Sequence, residues 1–399
     1  MQWVEGGVTA PGGFLASGTA AGIKKTKKDL ALLFSTVPAA AAGVFTTNRV
    51  KAAPLLVTAA RLEKGVAQAV VVNSGNANAC NGPEGYADAL AMGRAAAQAL
   101  NLPEELVLVS STGVIGQRLP LEKIEAALPA AAAALDAGGH LAAAEAILTT
   151  DTVVKEAAVR FSLGGSTCTI GGMAKGSGMI HPNMATMLAF LTTDVAIKPE
   201  LLRRALKEAV DASFNMITVD GDTSTNDMVV VLANGRAQNP EINADGPDYA
   251  AFVAALTAVA AELAKKVARD GEGATCLIEV RVKGARSDAD ARLAARAIAA
   301  SNLVKAAVFG RDANWGRILC AAGYSGAVFD PGKVDIFLGA EQVAADGAGL
   351  AFSEERASAE LERDPVVITV NFNEGEGAAV AWGCDLTYDY VRINASYRT

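Results

Sequence analysis

Short apolar runs rich in β-branched residues recur at residues 68–73, 106–110, 228–233, 276–282, 334–338 and 366–371, and each reads as a strand. Between them the period changes. From 248 to 269 the apolar residues Phe252, Leu256, Val259, Leu263 and Val267 recur at helical spacing, and Asp270-Gly271 supplies the stop. Pro199 suits the first turn of a helix through LLRRALKEAV. Ser287 and Asp290 form a capping pair ahead of ARLAARAIAAS, and the Ala-rich stretch 120–148 reads as packed helices. Strands and helices interleave, yet several strands follow one another across short Gly-containing turns. The pattern therefore predicts an α+β protein with helices layered outside sheet. A polar glycine turn at 283–287, KGARS, marks a candidate domain boundary, and no solenoid-type repeat is visible.

Composition changes this picture in a few places. With 399 residues, 51% of them hydrophobic, the chain exceeds what one core usually covers, so two or three domains are expected. Lysine and arginine total 35 against 43 acidic residues, a net charge of -8, which makes nucleic acid and anionic membranes poor partners. Glu5 precedes any basic residue, and glycine and proline interrupt the N-terminal apolar positions, so no export signal is expected. The apolar run 126–135 ends well short of the roughly 18 to 20 residues a membrane span needs, so no transmembrane helix is expected. Cys80, Cys168, Cys276, Cys320 and Cys384 lie far apart without a CxxC, which fits reduced thiols of a cytoplasmic protein and gives no metal site.

Only two histidines, His140 and His181, are present, and neither belongs to an HExxH pattern or sits beside a GxSxG elbow. Serine or cysteine catalysis through histidine is therefore a weak candidate, and His181 beside Pro182 reads as a turn residue. Gly176-Ser177-Gly178 fails the GxGxxG pattern, because residue 181 is histidine, and no GK[ST] follows it. The acidic run DGDTSTND, 220–227, lacks the spacing of a calcium loop and reads as turn chemistry bonded to a neighbouring loop. One further route activates a hydroxyl without histidine, by freeing the backbone nitrogen of the same residue. Cleavage between Ala185 and Thr186 would give Thr186 an α-amine with a pKa of roughly 7.7 to 8.0, suited to act as general base. A threonine in the glycine-rich stretch KGSGMIHPNMATMLAFLTTD, 175–194, is compatible with that chemistry without requiring it.

That stretch resembles the cleavage segment of the ornithine acetyltransferases, the glutamate N-acetyltransferases of arginine biosynthesis. The resemblance runs along essentially the whole chain: GGVTAPGGF near the start, NSGNANACNG at 73–82, SSTGVIGQ at 110–117, TTDT at 149–152, TVDGDTSTND at 218–227, DGEGAT at 270–275, GRDANWGRI at 310–318 and NASYRT at the end. It implies a layered αββα core of the N-terminal-nucleophile kind, spanning 1–283, and a smaller C-terminal α/β domain, 284–399. It also implies autocatalytic cleavage between Ala185 and Thr186, an α chain 1–185, a β chain from 186, and an (αβ)2 heterotetramer.

By the same resemblance Thr186 is the nucleophile, carrying the acetyl group from N-acetylornithine to glutamate in ping-pong fashion, with no metal or organic cofactor. Thr112 and Gly113 match the oxyanion-hole pair, and Thr152, Lys175, Thr186, Glu272, Asn394 and Thr399 match substrate-contacting positions. Their types suit an amino acid, since Lys175 can pair with a carboxylate and Glu272 with an ammonium. From the residues alone, Lys175 and Glu272 would read as solvated surface charges, and GRDANWGR as a structural polar network. Departures from the family pattern fall on flanking positions: Cys276 where lysine is expected, Ala313 where proline is, and Ser396 where an acidic residue is. The sequence leaves open whether acetyl-CoA is a second donor. It also leaves open an amidase or aminopeptidase on a related self-cleaving fold, or a scaffold that only binds ligand.

Overall fold

The computed structural model describes residues 1–181 and 187–396. Strand parity sorts its interior into layers. Along Leu188–Thr193 and Met228–Ala233, the residues Leu188, Phe190, Met228, Val230 and Leu232 point into one apolar cluster, while Ala189, Leu191, Val229 and Val231 point into another. Along Leu30–Phe45, Val66–Asn76 and Val107–Val114, Ala31, Leu33, Val70, Val72 and Leu108 join the first cluster, and Leu30, Leu32, Val71, Val107 and Val109 turn to a third. A period of two thus buries both faces of each sheet. The shared cluster lies between two sheet halves. The third cluster is capped by helices Ala53–Arg61, Gly82–Leu100 and Leu121–Ala133, and the remaining one by Pro199–Asp211 and Pro247–Arg269. This is the αββα sandwich.

One hydrogen-bonded sheet of nine strands supplies both inner layers. Its order is Gln2–Trp3, Lys155–Leu163, Ser166–Lys175, Leu188–Thr193, Met228–Ala233, Leu30–Phe45, Val66–Asn76 and Val107–Val114, with Phe14–Thr19 also paired to Leu30–Phe45. The long strand turns the sheet over. Its first part pairs with Phe14–Thr19 and Val66–Asn76, its last part with Met228–Ala233, and the register shifts between Phe34 and Ala39, where Pro38 offers no N–H to a ladder.

A second, six-stranded sheet contains Leu277–Ala285, Asp335–Leu338, Glu341–Ala345, Ala348–Gly349, Val366–Asn371 and Gly377–Cys384. The boundary expected at 283/284 falls inside its Leu277–Ala285 strand. That strand runs between Val366–Asn371 and Gly377–Cys384, and the polar glycine turn read at 283–287 ends it and leads into the helix Asp288–Ala300. The apolar cluster beneath Pro247–Arg269 continues into this sheet through Val280, Ile368 and Ala381, which packs the C-terminal part directly on the core.

The predicted helices form much as read. The 248–269 helix is Pro247–Arg269, and Pro199 opens Pro199–Asp211. Ser287 Oγ accepts from the Asp290 N–H at 3.1 Å. The hydrophobic pattern missed Lys155–Leu163, Ser166–Lys175 and Leu188–Thr193. These segments carry few β-branched aliphatic residues, Val159 and Ile170 among them, and their strand state is fixed by sheet neighbours instead of β-branched propensity.

Candidate active site

A cavity of about 140 Å³ opens where Leu188–Thr193 and Met228–Ala233 begin and Val107–Val114 ends. Five of the residues singled out from the sequence line it: Thr112, Gly113, Lys175, Glu272 and Asn394. They arrive from four separate stretches of chain. Thr186, Ala185 and Thr399 lie outside the described residues, but Met187, directly after the expected nucleophile, also lines the cavity. The Met187 carbonyl accepts from the Met228 N–H at 3.0 Å, fixing the chain where it leaves the 182–186 stretch.

The Thr112 side of the cavity is neutral and held by backbone. Gly113 has φ +132, and a Cβ there would sit 2.3 Å from the Gly75 carbonyl carbon, so only glycine fits this close approach of two parallel strands. Asn226 Nδ2 bridges the carbonyls of Ser111 and Ala77 at 2.8 and 2.6 Å, and Ser111 Oγ donates to Asn73 Oδ1 at 2.6 Å. The segments NSGNANA, STG and ND therefore meet in one hydrogen-bonded knot. Thr112 is buried, and among the described residues its hydroxyl has no hydrogen-bond partner. A hydroxyl donor beside a glycine peptide is thereby presented to the cavity.

The opposite side is charged. Lys175 and Glu272 are both only 8% exposed, so neither is the solvated surface charge that their residue types suggest. Burial pushes the Lys175 ammonium below its usual value, opposed by Asp151, Asp227 and Glu272. Glu272 Oε2 accepts from Asn394 Nδ2 at 2.8 Å, which ties the Tyr388–Ser396 helix over the cavity. A Cβ at Gly178 would lie 2.4 Å from the Glu272 carboxyl, so the second glycine of the GSG run makes room for that carboxylate.

Thr152 is not part of the cavity wall. It is exposed, its N–H donates to Asp270 Oδ2 at 3.0 Å, and its hydroxyl donates to Asp270 Oδ1. Its neighbours Thr149 and Thr150 line the wall instead.

The acidic run at 220–227 does what its turn chemistry predicts and also forms cavity wall. Asp220 accepts from the N–H groups of Met179 and Ile180 at 2.6 and 2.8 Å, and Thr223 Oγ1 donates to the His181 carbonyl at 2.9 Å. These bonds hold the chain where it enters the 182–186 stretch. His181 behaves as a turn residue: its Nδ1 lies 3.0 Å from Thr218 Oγ1, and burial lowers its pKa.

Sequence reasoning assigned no site role to Asp220, Asp222, Asp227 or Tyr390, all of which line the cavity. Burial raises the Asp227 carboxyl well above the usual carboxylate range, and among the described residues its Oδ2 has no hydrogen-bond partner. Two aspartates separated by one glycine were a signal, but a local one that did not reveal what they face. In the GRDANWGR segment, Asn314 caps Trp315–Gly323, Arg317 donates to the Leu303 carbonyl, and Arg311 and Asp312 are exposed. Among the described residues no His/Cys/Asp/Glu group has metal-binding geometry, and no helix is long and apolar enough to cross a membrane.

Comparison with known proteins addresses the chain as a whole. The family model of the ArgJ family matches residues 15–399. The arginine biosynthesis bifunctional protein ArgJ of Symbiobacterium thermophilum is 62% identical over the full length of both chains, and that of Caldanaerobacter subterraneus subsp. tengcongensis is 52% identical, again over both full lengths. The crystal structure of the arginine biosynthesis bifunctional protein from Bacillus halodurans is 54% identical with a TM-score of 0.52, covering 53% of this chain and 100% of its own. With family model, full-length relatives and fold in agreement, this chain belongs to the ArgJ family.

Proposed function

We propose that this chain is an acetyltransferase of arginine biosynthesis that moves the acetyl group of N2-acetyl-L-ornithine to L-glutamate through an acetyl-Thr186 intermediate. The observation that carries this reading is the convergence of Thr112, Gly113, Lys175, Glu272 and Asn394 on one cavity beside Met187. The chain first cuts itself between Ala185 and Thr186. The Thr186 α-amine then takes the proton of its own hydroxyl as Oγ attacks the acetyl carbonyl. The oxyanion faces Thr112 Oγ1 and the Gly113 N–H, each donor lowering the barrier by about 2.7 to 4 kcal/mol. Collapse breaks the amide bond and returns the proton to the leaving amine of ornithine. The glutamate amine attacks the resulting ester by the same route in reverse order. Lys175 holds a substrate carboxylate and Glu272 a substrate ammonium, while Asn394 orients Glu272. Thr152 supports this wall through Asp270, and Thr399 is a further substrate contact.

The two chains stay together because strands from both sides of the cut share one sheet, Leu188–Thr193 and Met228–Ala233 lying side by side between Ser166–Lys175 and Leu30–Phe45. The solved Bacillus halodurans chain supports a two-chain product, because its whole length matches a little over half of this chain, the share that residues 186–399 make up. The cleaved pair assembles as an (αβ)2 heterotetramer in the cytoplasm, works without a metal or organic cofactor, and uses acetyl-CoA as a second donor.

Denaturing mass spectrometry tests the reading. The wild-type chain yields fragments ending at Ala185 and beginning at Thr186, and the Thr186→Ala variant stays intact and transfers no acetyl group. Normal turnover by that variant, or an uncut wild-type chain that is active, would overturn the nucleophile assignment. Release of acetate without glutamate would point to an amidase instead.

A further inference from the structure

Behind the charged wall, Lys155 is completely buried. Its Nζ contacts Asp151 Oδ1 and Asp270 Oδ2, each at 2.6 Å. These two carboxylates hold three separate pieces of the wall. Asp151 accepts from the Thr149 N–H at 2.9 Å and the Gly176 N–H at 2.6 Å, and Asp270 accepts from Thr152. The Asp270 carbonyl also takes Ser177 Oγ at 2.6 Å, and the Ser177 carbonyl takes the Glu272 N–H at 2.9 Å. Lys175, next in sequence to Gly176, forms no ion pair with any described carboxylate, although Asp151 is close enough to act on it electrostatically. Two buried lysines therefore face two buried aspartates, but one lysine takes both.

We propose that Lys155 is a positioning residue for acetyl transfer: by neutralising Asp151 and Asp270 together, it leaves the Lys175 ammonium free for a substrate carboxylate. Remove the Lys155 charge, and Asp151 keeps two backbone donors and the field of Lys175 but loses the cation it is ion-paired with. The nearest remaining buried cation is Lys175. An uncompensated buried carboxylate recruits it, because leaving either charge unpaired in a dry wall is far more costly than a small side-chain movement. Lys175 then pairs inside the protein and competes poorly for substrate.

This inference rests on Lys175 as the carboxylate partner, and the test separates the two. Steady-state acetyl transfer is measured for wild type, Lys175→Met, Lys155→Met and Lys155→Met/Asp151→Asn, using glutamate and its two carboxamide analogues, glutamine and isoglutamine, as acceptors. Wild type prefers glutamate to the analogue that lacks the bound carboxylate. Lys155→Met raises KM for glutamate about tenfold while kcat changes far less, and that preference collapses toward the value in Lys175→Met. The double variant, which also removes Asp151, the carboxylate that acts most strongly on Lys175, recovers most of the preference. A merely structural weakening lowers turnover of all three acceptors together and leaves the preference intact, which overturns the inference. If Lys155→Met does not accumulate as folded protein, the double variant decides: a preference as low as that of Lys175→Met overturns the inference, and a near wild-type preference supports it. If Lys175→Met itself keeps full preference, the substrate reading of Lys175 fails first, and the role of Lys155 falls with it.

Discussion

The two walls of the cavity are built by opposite means. The Thr112–Gly113 wall is neutral, made from consecutive strand residues whose position follows from backbone pairing and one glycine that no other residue can replace. The Lys175–Glu272 wall is charged, and the stretches behind it, residues 149–152, 175–178 and 270–272, are tied together through Lys155 and the two aspartates. A wall of the first kind tolerates no steric change but little depends on charge balance. A wall of the second kind tolerates modest changes of shape, but a single lost charge unbalances it, since a buried ion is stable only with its partners.

Substitutions on each side should break this comparison unequally. The largest effect is expected from Gly113→Val, which forces a side chain into the Gly75 backbone. We expect about 10³-fold lower turnover in the transfer assay together with a clearly lower thermal midpoint. Lys155→Met should cost about 3 to 5 kcal/mol in urea unfolding, because it removes the ion-paired cation of two buried carboxylates, whereas adding Asp151→Asn should recover part of that loss.

The same wall predicts a pH dependence. Burial alone would push the Asp151 carboxyl up, but Lys175 and Lys155 outweigh it and hold Asp151 well below the usual carboxylate range. Its folded pKa is depressed, so its contribution to stability is complete above the unfolded value of about 3.8 and is lost as pH falls below that. The stability gap between wild type and Asp151→Asn should therefore narrow in unfolding curves taken below about pH 4. A gap that is constant with pH would mean that Asp151 contributes by shape and not by charge.

Thr112→Val keeps the shape of the neutral wall and removes only its hydroxyl donor. It should slow kcat by a factor equivalent to about 2.7 to 4 kcal/mol with the unfolding midpoint nearly unchanged. The smallest effect belongs to Asn394→Ala, which removes one bond to Glu272 from an exposed helix. About 1 kcal/mol is expected, read as a several-fold rise in KM for the substrate that carries an ammonium.

The two walls also differ in how far they could be read in advance. Thr112, Gly113, Lys175, Glu272 and Asn394 were named from motif resemblance, and the structure gathers all five at one cavity. The residues that position them were not named. Lys155 sits in KEAAVRFSL, where a lysine at a strand start looks like any solvated charge, yet it is buried by elements distant in sequence. Asp227 ends a run that reads as a polar turn, and only the fold turns its unpartnered oxygen into the protein interior.

What the sequence by itself determined was local. The alternation along Met228–Ala233, the helical period of Pro247–Arg269 and the Ser287 cap each depend on neighbours within a few residues. Strands such as Ser166–Lys175 and Leu188–Thr193, which carry almost no β-branched aliphatic residues, acquired their state from the sheet around them. Only the tertiary structure decided which charges are dry, because burial is a property of what packs against a side chain and not of the side chain. The balance of two lysines against two aspartates, on which the charged wall depends, joins positions 151, 155, 175 and 270, and it exists only once the sandwich has closed.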